Sequence, residues 1–355
     1  MTTTLPTRGS MLRAFLDGDS KAEGIFLVAV RTTRIFCRPT CPARKPKPEN
    51  VEFYPDPTSA LRAGFRPCKR CRPMDAVRKP PELVERLRMM IEDDPAHRVG
   101  DKDLTARGID PSTARRQFRR YFGMTFQAYQ RSRRMGAALR DVRGGNNLLE
   151  VGLDAGYASP SAFREAFARL FGRPPRDSRD ADGLFARRIE TPLGATLALA
   201  DDEGLRLLEF LDGPDLERKA RALGETLGRA VIHADHPLLD AVAEQLDAYF
   251  AGRRLTFDVP LAPLGSPWQL AVWERLRAIP PGETRSYVQL AESLGRPTAS
   301  RAVGHANGRN PIGIVVPCHR VIRADGSLCG YAGGPWRKQW LLDHERAHLG
   351  RPSSA

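Results

Sequence analysis

The stretch NPIGIVVPCHRV, residues 310–321, places Cys318 directly beside His319 at the end of an apolar run. A thiol becomes a strong nucleophile as the thiolate, and an imidazole within reach is a base suited to making one. Adjacency alone is a weak sign, because a lone Cys-His pair more often serves packing than catalysis. What surrounds the pair decides its meaning.

At the other end of the chain stand Cys37, Cys41, Cys68 and Cys71. Two close pairs from two loops suit a tetrahedral thiolate site, and zinc is the borderline-soft ion such a site takes. Taken alone, a four-cysteine zinc site is a structural staple. Its neighbours suggest more: Arg31, Arg34, Arg38, Arg44, Lys45 and Lys47 crowd the first pair, and Arg66, Lys69, Arg70 and Arg72 the second. A domain so charged can dock on phosphates.

The 355 residues suffice for two or three domains. Lys and Arg total 56 against 42 acidic residues, a net charge of +14 that points to a polyanionic partner. Half of that excess lies in residues 101–140, which hold ten basic residues against three Asp. No secretory segment and no apolar run of membrane-spanning length is evident, so a cytoplasmic protein with no membrane partner is expected. Six cysteines in such a chain argue for reduced thiols rather than a disulfide framework.

Composition divides the chain at 1–78, 82–178, 188–262 and 263–350. Within the second segment, LTARGIDPSTARRQFRRYFGMTFQAY (104–129) and VGLDAGYASPSAFREAFARLFGRPP (151–175) share one plan. Each has a short helix, a glycine turn (Gly108, Gly156), a Pro-Ser helix start taken as its cap, and a closing Phe-Gly. Two helix-turn-helix units joined by a helix over 125–140 would set Arg115, Arg116, Arg119 and Arg120 on or near one recognition helix. The third segment alternates like strands, with breaks at Leu193-Gly194 and 201–204, before a helix over Pro237–Phe250. In the fourth, a helix-turn-helix is expected with Ser286 and Thr298 or Ser300 as caps.

Three resemblances assemble these parts. VRTTRIFCRPTCPARKPKPENVEFY with AGFRPCKRC resembles the N-terminal domain of the Ada family, bacterial methylation sensors and DNA repair proteins. That likeness implies that zinc-bound Cys37 accepts a methyl group from a methylphosphotriester, with Thr33, Arg44 and Arg66 near DNA phosphates. The family has Gly where this chain has Arg34, which either adds a phosphate contact or perturbs the turn. The duplicated segment is similar to the AraC-type DNA-binding domain. The segment from SPWQLAVWERL through PCHRV, with GYAGG and LLDHE beyond, closely resembles the O6-alkylguanine-DNA alkyltransferases.

This last resemblance implies Cys318 as alkyl acceptor, His319 as its base, Glu345 orienting the imidazole and Asn310 bracing the loop. It further implies Tyr287 as proton donor to the leaving guanine, Arg301 as intercalating arginine, and residues 330–334 with Tyr331 lining the pocket. A base inside the duplex must be flipped to meet a sulfur, at roughly a few kcal/mol, which inserted side chains partly offset. Cys329 matches no role and reads as a small filler; His233, His236 and His305 read as structural or surface residues.

The expectation is a multidomain α+β chain: a four-cysteine zinc domain, an all-α double helix-turn-helix domain, and an alkyltransferase with a small sheet subdomain and a helical subdomain. It would transfer alkyl groups from DNA to its own cysteines once, stoichiometrically. Methylated Cys37 would convert it into a transcriptional activator. Double-stranded DNA is the expected partner and zinc the cofactor. RNA polymerase is a further partner that activation implies, and a nucleoid-associated monomer is expected. The alternative is a regulator with a structural zinc and little or no alkyl transfer.

Overall fold

Helix α1 (Arg8–Asp17) opens the chain, capped by the Thr7 hydroxyl. A four-stranded sheet of order β3-β1-β2-β4 follows, built from β1 (Leu27–Val30), β2 (Ile35–Cys37), β3 (Val51–Tyr54) and β4 (Arg66–Pro67), with α2 (Pro57–Arg62) between the last two. The computed structural model describes residues 5–349 apart from 20, 21, 23, 24, 56, 72, 74–81, 95, 96, 123, 179–182, 212, 214, 329 and 332. Strand β4 runs parallel to β2, so the segments bearing Cys37 and Cys68 lie side by side, and the Cys68 amide donates to Phe36 O at 2.9 Å. Among the described residues the apolar side chains here form small clusters, one around Met11, Phe15 and Val28, another around Phe36, Ala60 and Phe65, beside that of the cysteines themselves. Cores of that size need a staple.

Among the described residues six helices come next: α3 (Glu82–Asp93), α4 (Asp101–Ala106), α5 (Pro111–Phe122), α6 (Phe126–Arg143), α7 (Leu148–Asp154) and α8 (Pro160–Phe171). The duplicated plan appears as two helix pairs joined by α6. Gly108 and Gly156 take positive φ (68° and 70°) in the turns, a conformation glycine adopts without Cβ strain. The caps differ from the expected ones. Asp110 accepts from the Thr113 amide and Ser159 from that of Ala162, so the capping side chain precedes each proline, and Ser112 and Ser161 already lie inside the helix.

A second sheet, β7-β6-β5-β8, comprises β5 (Leu184–Ile189), β6 (Thr196–Asp201), β7 (Gly204–Phe210) and β8 (Val231–His233). Its first strand begins at Leu184, four residues before the division read at 188: LFARRI has Leu184, Phe185, Ala186 and Ile189 buried, despite two intervening arginines. Helices α9 (Leu216–Leu227) and α10 (Pro237–Phe250) complete this layer. Then come α11 (Pro267–Arg277), the short strand β9 (Arg285–Ser286), α12 (Tyr287–Ser293), α13 (Ser300–Gly308), β10 (Val321–Ile322) and α14 (Pro335–His348). Ser266 and Ser286 each form a capping box, with Gln269 and Gln289. Neither Thr298 nor Ser300 caps α13; a turn of 3₁₀ helix at Pro297–Ala299 leads directly into it.

The helical domain is not isolated from the second sheet. Ser132 Oγ on α6 accepts from the His233 amide at 2.7 Å, and Arg133 forks onto Asp235 while also reaching Glu92. A Cβ on Gly136 would come within 2.3 Å of the Ala234 Cβ, so glycine permits this close approach of helix and sheet. Among the described residues no helix is long and apolar enough to cross a membrane.

Candidate active site and metal centre

Cys318 begins a single turn of 3₁₀ helix, Cys318–Arg320, and is 6% exposed. The loop before it is held at two places. The Asn310 amide donates to Val316 O at 2.8 Å and its oxygen accepts from the Ile312 amide at 3.0 Å. Strand β7 supplies the other hold: the Leu208 amide donates to Pro311 O, and Leu208 O accepts from Gly313 N, both at 2.9 Å. Buried Ile314 sits at φ 69°, where a β-branched residue is strained by about 1–3 kcal/mol and persists only when its surroundings enforce it.

His319 is fully buried and its Nε2 lies 2.8 Å from Glu345 Oε1. Its Nδ1 is buried and finds no hydrogen-bond partner among the described residues. Glu345 is also fully buried, and accepts from Tyr249 Oη (2.9 Å), the Gly282 amide (3.0 Å) and Arg320 through Nε and Nη2 (2.9 Å each). Burial pulls its carboxyl up, but His319 and Arg320 together hold it well below the usual carboxylate range. Burial dominates the other two groups, pushing the Cys318 thiol up and the His319 imidazole down. At rest the arrangement is a neutral thiol beside a neutral imidazole whose Nε2–H points at a fixed carboxylate, leaving Nδ1 as an unused acceptor.

A cleft reaches Cys318, lined by Phe210, Asn307, Asn310, Gly330, Tyr331 and Gly333 among others. Gly333 is crowded: a Cβ there would meet Tyr331, Arg337 and Phe210 at 2.8 to 3.0 Å. Ala332 and Cys329 lie outside the described residues. Tyr287 is half-buried at the start of α12, with its ring facing Gly304, and does not line this cleft. Arg301 is exposed on the first turn of α13. Sequence reasoning missed Arg320 and Tyr249 as partners of Glu345. It also missed Arg337, whose guanidinium binds Leu193 O and Gly333 O and lies over the Phe210 ring. Arg320 adjoins the Cys-His pair and was legible as a charge there; the others are far off in sequence.

In the N-terminal domain the Sγ atoms of Cys37, Cys41, Cys68 and Cys71 all lie within 4.8 Å of one another. Tetrahedral zinc with bonds of about 2.3 Å places its sulfurs roughly 3.8 Å apart, so the four fit the ion. Their mutual influence fits as well: Cys71 is drawn down to about 6 by the Cys37 thiol donating to it, while that bond and burial push Cys37 up. Such crowded sulfurs cannot all ionise without a cation among them. This is a zinc site. Cys37, Cys41 and Cys68 are buried, and Cys71 is the most open of the four.

Around the cysteines, Thr33, Arg44 and Arg66 are exposed. Arg34 takes φ 54°, keeps the turn in the left-handed form and lays its guanidinium over Phe65 (4.7 Å) while donating to Ala63 O at 3.1 Å. On α5, Arg115, Arg116 and Arg119 are exposed, with Arg115 paired to Asp101 at 2.8 Å; the side chain of Arg120 lies outside the described residues.

Comparison with known proteins gives a family for each region in turn. Residues 10–74 match the metal binding domain of Ada, 105–181 a helix-turn-helix domain, 184–263 the ribonuclease-like domain of 6-O-methylguanine DNA methyltransferase, and 267–347 the DNA binding domain of that enzyme. The bifunctional transcriptional activator/DNA repair enzyme Ada of Escherichia coli is 34% identical over 343 residues, 94% of this chain and 95% of that protein. The methylated-DNA–protein-cysteine methyltransferase of Methanosarcina acetivorans is 45% identical over 157 residues, 44% of this chain and 95% of its own. Among solved structures, Mycobacterium tuberculosis OGT in complex with DNA is 39% identical, covering 48% of this chain and 96% of that one, with a TM-score of 0.41. With one relative matched nearly end to end and all four regions in the same order, the chain belongs to the Ada family.

Proposed function

We propose that this protein repairs alkylated DNA by moving alkyl groups irreversibly onto two of its own cysteines, and that one transfer turns it into a transcriptional activator. It is a methylated-DNA–protein-cysteine methyltransferase that acts once per site. The observation that carries the reading is the buried Cys318-His319-Glu345 sequence of groups: Cys318 lines a cleft, and His319 beside it in the chain is held by Glu345 through Nε2 with Nδ1 unpartnered among the described residues. We assign 1–78, 82–178, 184–262 and 263–350, the third division moved back to its first strand, to phosphotriester acceptor, AraC-type, alkyltransferase sheet and alkyltransferase catalytic parts.

At Cys318, Nδ1 of His319 takes the thiol proton, directly or through one water. Glu345 stabilises the imidazolium that results, as a buried carboxylate should. Sulfur then attacks the alkyl carbon, the C–S bond forms as the C–O6 bond breaks, and Tyr287 returns a proton to the departing guanine. Asn310 keeps the loop rigid, Tyr331 walls the pocket, and Arg301 fills the space of the extruded nucleotide. Transfer needs no further reactant, and the thioether it leaves is a poor leaving group.

At the metal centre Cys37, Cys41, Cys68 and Cys71 would hold zinc, which would keep them as thiolates at neutral pH. Cys37 attacks the methyl group of a neutral phosphotriester, and the phosphodiester leaves as a stable anion with no proton required. The four-thiolate site passes from formal charge −2 to −1, which lowers repulsion toward DNA where phosphate electrostatics dominate. Thr33, Arg44 and Arg66 contact the backbone, and Arg115, Arg116 and Arg119 position α5 on promoter DNA. Tighter promoter binding recruits RNA polymerase to the bound monomer.

Peptide mapping after reaction with duplexes carrying both lesions tests this reading. One alkyl group is expected on Cys318 and one on Cys37. The open position of Cys71 makes it the competitor, and methyl found there instead would reassign the second acceptor. An unmodified protein would leave a regulator with a structural zinc.

A further inference from the structure

The helix α6 that joins the two helix-turn-helix units carries two consecutive arginines with opposite fates. Arg133 is neutralised by Glu92 and Asp235. Arg134 is only 6% exposed, yet its Nε and Nη1 find no hydrogen-bond partner among the described residues. No carboxylate is among the principal influences on it. These are its own burial, the like charges of Arg98 and Arg131, and Tyr157. The Arg98 guanidinium lies 5.2 Å from the Tyr157 ring centroid and that of Arg134 lies 6.0 Å away. The Tyr157 hydroxyl is turned away onto Met135 Sδ at 3.4 Å, so the ring face is what the two arginines share. Arg98 and Arg131 are both exposed.

An unpaired guanidinium held out of water is costly, and gathering two more positive charges beside it raises the cost. Cation–π contact with one tyrosine offsets only part of it. An anion entering the group would offset the rest. The position says which anion. Arg98 immediately precedes α4 of the first unit, Tyr157 precedes α8 of the second, and Arg134 lies on the helix between them. Two units that read successive faces of one duplex leave the intervening backbone at this seam.

We propose that Arg98 and Arg134, grouped around Tyr157, together with Arg131 one turn before Arg134 on α6, form a seat for a backbone phosphate of DNA between the two helix-turn-helix units. Arg134 supplies a charge fixed in place, and the two exposed arginines close on the phosphate oxygens. The proposal rests on the reading of residues 82–178 as a DNA-binding domain. A phosphate contact carries no base information, so the seat sets register and affinity rather than operator choice.

The test uses the full zinc-loaded chain, a promoter duplex it binds and an unrelated duplex, titrated across salt concentrations. Arg98→Gln and Arg131→Gln should weaken binding to both duplexes by the same factor. Each should also make the slope of log K against log salt shallower by about 1. Arg134→Met should do the same while leaving the melting temperature of the free chain unchanged or raised, because it removes a buried unpaired charge. Alkyl transfer to Cys318 in each variant verifies the fold. A drop in melting temperature for Arg134→Met would mark the residue as structural and overturn the seat. So would unchanged affinity and slope in Arg98→Gln and Arg131→Gln while Arg116→Gln, on α5, weakens binding. If Arg116→Gln is silent as well, the DNA-binding reading falls and the seat falls with it.

Discussion

The two sulfur sites of this chain reach the same chemical end from opposite surroundings. Cys318 stands alone on a strained loop, inside a core shared by a sheet and several helices, and depends on a base next to it. Cys37 stands among three other cysteines on a domain whose apolar clusters are small, and depends on a metal. At the first site the fold creates the electrostatics; at the second the ion creates both the electrostatics and much of the fold. They should therefore fail under different insults.

Chelation separates them most sharply. Stripping zinc should unfold the N-terminal domain and abolish phosphotriester acceptance outright, because structural zinc contributes folding free energy that such small clusters cannot replace. Transfer from O6-alkylguanine to Cys318 should continue at an unchanged rate. Single-turnover assays on singly lesioned duplexes, with and without chelator, measure both. Loss of guanine repair on chelation would mean that the two sites are energetically joined.

Glu345→Gln is the counterpart insult. It leaves Arg320 buried without its carboxylate and removes the acceptor that orients His319, and breaking a buried pair in this way costs about 3–5 kcal/mol. The thermal transition of the alkyltransferase region should fall by several degrees and repair at Cys318 should be lost, with zinc content and Cys37 methylation intact. Calorimetry with metal analysis follows both.

Acid gives a graded version of the comparison. Burial holds His319 below the ordinary histidine value near 6.5, so the neutral imidazole that accepts the thiol proton persists below that pH. Transfer to Cys318 should be flat from neutral pH down through 6.5 and decline only as the lowered folded value is passed. The stability effect has the same sign. The unfolded chain binds the proton more readily, so stability is fully present above the unfolded value and erodes as pH falls below it. His233, buried at the α6–β8 contact and lowered to about 4, adds to that erosion between about 6.5 and 4. A rate that halves near pH 6.5 would show the imidazole to be solvent-like.

Gly333→Ala probes the cleft alone. The added carbon would collide with Tyr331, Arg337 and Phe210, and overpacking of this kind costs about 1–3 kcal/mol. Transfer from O6-methylguanine should slow by about tenfold, with a larger drop for bulkier alkyl groups and none at Cys37. Equal rates for all adducts would show that Tyr331 is not a wall of the pocket.

What was readable beforehand divides along sequence distance. The cap at Ser286, the paired glycine turns and the cysteine spacing are local, so residue type and offset suffice to see them. Tyr249 and Arg320 meet on Glu345 from 96 and 25 residues away, and strand β7 holds the Cys318 loop across a hundred residues. No periodicity encodes such meetings; only the closed fold does. The strand start at Leu184 was missed because Arg187 and Arg188 interrupt the apolar pattern. Both are drawn to partners outside the strand, Asp240 for one, Tyr121 and Glu190 for the other.

The smallest effect is expected at Arg34, in the turn before the first metal ligand. Arg34 holds a left-handed turn that favours glycine, at a cost of about 1 kcal/mol. Against this stand a cation–π contact with Phe65 and a hydrogen bond to Ala63 O, each worth under about 1 kcal/mol at an exposed position. The opposing contributions nearly cancel, so Arg34→Gly should shift the stability of the zinc domain by less than about 1 kcal/mol. DNA binding discriminates better. Because the guanidinium is engaged on its own domain, the salt slope of DNA affinity should not change in Arg34→Gly, whereas Arg66→Gln should make it shallower. A slope altered in Arg34→Gly would mean that the arginine leaves Phe65 for a phosphate when DNA arrives and adds a contact there.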